Sequence, residues 1–104
     1  MGTPRAFDVI LTPTAEQDLA SLHARIAAES PRAADRFVLE LADRIDSLAK
    51  FPARGPKARE RQTRGLRVRQ LIHQGYRVLF TVLGSTVYVL RVGHGARKSL
   101  PPNP

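Results

Sequence analysis

The sequence predicts an α+β domain of order β-α-α-β-β-β, in which an antiparallel sheet packs on a helical hairpin. Three observations carry that prediction. Two segments in the first half, each opened by a proline, repeat apolar residues at three- and four-residue spacing, as amphipathic helices do. Three runs of β-branched, aromatic and aliphatic residues, separated by glycine-containing turns, fill the second half as consecutive strands would. A helical hairpin cannot bury two apolar stripes by itself, so the strands must supply the layer beneath it.

The first element is a strand over Ala6 to Leu11, where Phe7, Val9 and Leu11 alternate with Asp8 and Ile10, and Thr12 stops it. A helix is expected to start at Pro13 or Ala15. Proline suits a first turn, and Thr14 with Gln17 has capping-box spacing. Its apolar stripe is Leu19, Leu22 and Ile26. Ser30-Pro31 repeats the start signal, and the second helix carries Ala34, Phe37, Val38, Leu41, Ile45 and Leu48 until Phe51-Pro52 ends it.

Leu66 to Ile72 and Tyr76 to Val82 then read as strands joined by His73-Gln74-Gly75, with His73 a loop residue. Thr86 to Val92 forms a third strand after a tight turn at Gly84-Ser85. A two-residue turn there puts Val82 opposite Val87, Phe80 opposite Val89 and Val78 opposite Arg91 on the face that floors the helices. Tyr76 shares that floor. Arg77, Leu79 and Thr81 would then lie on an uncovered face with Tyr88, Leu90 and Val92.

At 104 residues the chain makes one domain, residues 1–104, with a proline-rich tail at 100–104 that cannot be helical. A hydrophobic content of 42% suits a globular fold. With no cysteine, disulfides, thiolate catalysis and cysteine-ligated metal are excluded, and three scattered histidines argue against any metal site. No cofactor is expected. Met1-Gly2-Thr3-Pro4-Arg5 lacks an apolar run, and no window approaches the ~20 apolar residues of a membrane span, so a cytoplasmic protein without membrane contact is expected.

Charge divides the chain. Residues 1–50 hold six basic and eight acidic side chains, net −2, whereas residues 51–104 hold eleven basic and one acidic, net +10. No acid follows Glu60. Folding does not require so one-sided a field, which points to a polyanion or a strongly acidic protein as partner. Arg54, Lys57, Arg59, Arg61, Arg64, Arg67, Arg69 and Arg77 concentrate the effect. Arginine predominates, and its planar fork takes phosphate oxygens bidentately where lysine offers a point charge. Arg59, Arg61, Arg64, Arg67, Arg69, Arg91, Arg97 and Lys98 are the candidate cations for nucleic-acid contact. Tyr88 is the candidate to stack a base.

Gly75-Tyr76-Arg77-Val78-Leu79-Phe80-Thr81-Val82, Val87-Tyr88-Val89-Leu90-Arg91-Val92 and the ending Gly93-His94-Gly95-Ala96-Arg97 resemble the toxins of the RelE/ParE superfamily of bacterial type II toxin-antitoxin systems. Leu11 to Leu19, Ser30-Pro31-Arg32-Ala33-Ala34 and Leu48-Ala49-Lys50-Phe51-Pro52 fit the same pattern in the same order, so the resemblance covers about residues 7 to 98. It implies a microbial RNase-like fold, a cognate antitoxin that neutralises the toxin, and one of two activities. RelE-type members cut messenger RNA on the ribosome. ParE-type members poison DNA gyrase and are not nucleases.

Metal-free RNA cleavage needs a group to take the 2′-hydroxyl proton, a cation for the phosphate and an acid for the leaving oxygen. By resemblance Arg77 matches the phosphate-stabilising arginine and His94 a histidine of some RelE-type enzymes. Glu60, the one acid of the basic half, is the candidate base. The aromatic residue that several RelE-type enzymes place next is missing, since Gly95 follows His94. The charge of the second half is what ribosomal RNA would demand, so the reading is a ribosome-dependent endoribonuclease that inhibits translation, with ParE-type gyrase inhibition as the alternative. The antitoxin is expected to bury Leu79, Leu90 and Val92 on the sheet, or to fill the outer groove of the helical hairpin.

Overall fold

The computed structural model describes residues 7–50 and 67–94, and the elements within them run β1 (Asp8–Leu11), α1 (Pro13–Ala27), α2 (Pro31–Asp46), a 3₁₀ turn (Ser47–Ala49), β2 (Arg69–His73), β3 (Tyr76–Leu83) and β4 (Thr86–His94). This is the expected order. The sheet runs β1-β4-β3-β2, with β2, β3 and β4 antiparallel as expected. β1, however, pairs parallel to β4, with Val9 beside Val87 and Leu11 beside Val89, so the sheet is mixed. Parallel neighbours need a long crossover, and the intervening helices and strands provide one.

Local chemistry sets the helix starts. Thr12 is the N-cap of α1, its hydroxyl oxygen accepting the Ala15 N–H at 3.2 Å, with Pro13 in the first turn. The cap is therefore Thr12, not the Thr14 that the spacing suggested. Thr12 is held there from the sheet: its hydroxyl and its backbone N–H both donate to the Val89 carbonyl, at 2.9 and 3.0 Å. Ser30 caps α2 as expected, accepting from the Ala33 N–H at 3.1 Å ahead of Pro31. The α-helix ends at Asp46, and the 3₁₀ turn carries the chain on to bury Leu48. Phe51-Pro52 lies outside the described residues, as does Leu66 at the expected start of β2.

Ala34, Phe37, Leu41 and Ile45 turn the stripe of α2 inward, and Ala15 and Leu22 do the same on α1. Phe37, Leu41, Ile45, Ala15 and Leu22 meet Leu71, Val78, Phe80, Val87, Val89 and Val92 from the sheet in one core. Phe80 is fully buried at its centre, and its truncation to alanine would cost about 3–5 kcal/mol.

Two turns fix the hairpins. Gln74 and Gly75 both have positive φ, 51° and 83°, as a type I′ turn requires between right-twisted strands. Gly84 takes φ 60° as the first residue of the β3–β4 turn. Val82 faces Val87 and Phe80 faces Val89, as the turn length predicted. Past that point the register slips at a bulge between Leu79 and Phe80: Leu79 faces Arg91 and Val78 faces Val92. The expected Val78–Arg91 pair is thereby replaced by an apolar pair, and Val92 joins the core rather than the opposite face.

Candidate functional site

Side chains alternate along β3, so Tyr76, Val78 and Phe80 face the helices while Arg77, Leu79 and Thr81 face away. The outward face is not open. Arg77 is 2% exposed, and Leu79 and Thr81 are also buried. Leu79 packs with Val68 and Leu90, and the Thr81 hydroxyl donates to the Arg67 carbonyl at 2.9 Å. The expectation that Arg77 projects from an uncovered face is therefore corrected. Its Nε donates to Gln70 Oε1 at 3.0 Å across the β2–β3 ladder, which fixes the guanidinium against the sheet.

His94 lies on the other side. It stands opposite Tyr76 in the β3–β4 ladder, and the two rings meet edge-on at 5.2 Å and 77°. Tyr76 in turn meets Phe37 of α2 at 4.9 Å, so His94 joins a row of rings on the helical side of the sheet. The residue opposite Arg77 is Gly93, one position before His94. Adjacent positions point to opposite faces, so the sheet itself separates the Arg77 and His94 side chains. The single cationic cleft expected from the sequence does not form from these two residues. Glu60, the third member of the expected set, lies outside the described residues.

His73 continues the ring row, 6.0 Å from Phe37. It is the last residue of β2 rather than a loop residue, and it is buried with Nε2 lacking a hydrogen-bond partner.

Of the expected nucleic-acid contacts, Arg67 is exposed just ahead of β2, and Arg69 is half-buried opposite Phe80. Tyr88 is half-buried on the outward face, between Thr81 and Ile10 in the ladder. Arg91 is committed elsewhere: its Nε and Nη2 donate to the two carboxylate oxygens of Asp18 on α1, at 2.8 and 3.2 Å. That hydrogen bond holds the guanidinium pKa above its ordinary range; burial pulls it down, and the Asp18 charge adds to the rise. Arg59, Arg61, Arg64, Arg97 and Lys98 lie outside the described residues.

Asp18, the partner of Arg91, is the residue that sequence reasoning missed. The signal was available: Asp18 sits three residues after Ala15 and four before Leu22, on the stripe that faces the core, where a carboxylate needs a partner.

Leu79 and Val92, expected to meet a partner protein, are both buried, and Leu90 is half-buried. The helical hairpin instead exposes Leu39 at 68%, beside a groove of about 320 Å³ lined by His23, Asp35, Val38 and Leu39. Asp35 Oδ1 lies 2.8 Å from His23 Nε2 across that groove, joining α1 to α2. Among the described residues no helix is long and apolar enough to cross a membrane.

The order of elements, the mixed sheet and the helical hairpin can now be set beside known proteins. Residues 9–99 match the family described as the ParE toxin of the type II toxin-antitoxin system parDE. The chain belongs to the ParE toxin family. Its fold is similar to that of a chain of the chromosomal ParDE toxin-antitoxin system from P. aeruginosa, with a TM-score of 0.69, 20% identity, and coverage of 86% of this chain and 96% of that one. It is also similar to a chain of the RelBE2 toxin-antitoxin complex from Mycobacterium tuberculosis, with a TM-score of 0.58, 28% identity, and coverage of 93% and 100%. No curated protein matches it. The superfamily resemblance read from the sequence is thus established, and this ParE-family chain is a toxin of a type II toxin-antitoxin module.

Proposed function

We propose that this chain is a ParE-type toxin that inhibits DNA gyrase, is not a nuclease, and is neutralised in the cytoplasm by a cognate antitoxin. One observation carries the reading: Arg77 is buried and His94 lies on the opposite face of the sheet. Cleavage requires a phosphate-binding cation and an acid-base group within reach of the same phosphodiester. A residue pair divided by a sheet cannot meet that condition. The family match supports the same choice.

Ribosome-dependent mRNA cleavage is the second reading, favoured by the net +10 of residues 51–104. Cell-free translation with primer extension on the message, run beside a gyrase supercoiling assay, separates the two. The proposal expects intact message and blocked supercoiling. Ribosome-dependent cuts in the message, with supercoiling untouched, would overturn it.

The antitoxin reading is supported by the neighbours, which come from toxin-antitoxin systems. With Leu79 and Val92 buried, the outer helical groove beside Leu39 is the surface that fits an amphipathic helix. Leu39→Asp should weaken capture of the antitoxin by tenfold or more, measured by titration with the co-expressed partner. Unchanged affinity would exclude the groove.

A further inference from the structure

We draw no further inference here: the strongest candidate, the groove between α1 and α2 lined by His23, Asp35, Val38 and Leu39, belongs to the surface already assigned to the antitoxin, and nothing in the structure shows what else would cover it.

Discussion

Asp18 joins α1 to the bulge in β4 through Arg91. Its Oδ2 accepts from Arg91 Nε at 2.8 Å and from the Val92 backbone N–H at 2.9 Å, and its Oδ1 accepts from Arg91 Nη2 at 3.2 Å. β1 ends beside Val89, and among the described residues no strand pairs with this edge of β4 beyond it. Asp18 takes the Val92 N–H there. The bulge that brings Val92 into the core therefore depends on a carboxylate from the layer above.

Replacing Asp18 with alanine should cost about 2–3 kcal/mol, because two charged hydrogen bonds from Arg91 and one from the Val92 N–H are lost from a partly buried site. Both side chains are less than a quarter exposed, so solvent screens the pair only in part. Asp18→Ala combined with Arg91→Ala should cost less than the two single changes added together. Denaturant unfolding of the four proteins checks this, and strict additivity would show that the pair is not coupled. The pH behaviour follows from the direction of the Arg91 shift. A cation whose pKa rises on folding contributes fully below its unfolded value, which for arginine lies far above neutral, and loses the contribution only above that. Arg91 therefore adds no slope to stability between about pH 6 and 9.

The β2–β3 turn supplies a backbone test. Gly75 has φ 83° with nothing near the position of an added Cβ, so Gly75→Ala meets only the left-handed backbone penalty of about 1–2 kcal/mol. Gln74, at φ 51°, is a poorer turn residue than asparagine. Its side chain gives up only an exposed hydrogen bond to Glu40 when replaced. Gln74→Asn should therefore leave stability equal or slightly raised. Thermal melts of both variants check the pair, and a neutral Gly75→Ala would refute the turn geometry.

What was legible in the sequence was local. Ser30-Pro31, Gly84-Ser85 and the apolar stripe of α2 each act within a few residues, and each appears where its chemistry places it. The Phe80–Val89 register follows from the turn length alone. The bulge did not follow, because the extra residue in β4 is stabilised from α1, far away in sequence. The burial of Arg77 was also hidden, since a two-residue period assigns faces without saying what covers them. A clue lay in Val78-Leu79-Phe80-Thr81-Val82, a nearly unbroken run of the kind that strands covered on both faces carry.

His73 marks a site where the fold carries a cost. A buried nitrogen without a partner is destabilising, and the ring packs beside Phe37. His73→Phe keeps an aromatic ring there and removes the polar atom. It should raise stability by about 1 kcal/mol, or some 4–8 °C in a domain of this size. Calorimetry decides: a lower melting temperature would mean that the imidazole makes a contact phenylalanine cannot replace.

Arg77 and His94 separate a catalytic role from a structural one. Under the gyrase reading Arg77 is a buried framework residue, so Arg77→Ala should lose about 2–4 kcal/mol, through lost packing and an orphaned Gln70 amide. Its toxicity should fall only as far as its folded fraction falls. His94→Phe preserves the edge-on contact with Tyr76 while deleting acid-base chemistry, so it should remain toxic. Growth arrest on induction, measured alongside melting temperature for each variant, tests both. A well-folded His94→Phe that no longer arrests growth would return the imidazole to catalysis. A well-folded, harmless Arg77→Ala would do the same for the guanidinium, and the face-to-face separation across the sheet would then have to close in a complex with the target.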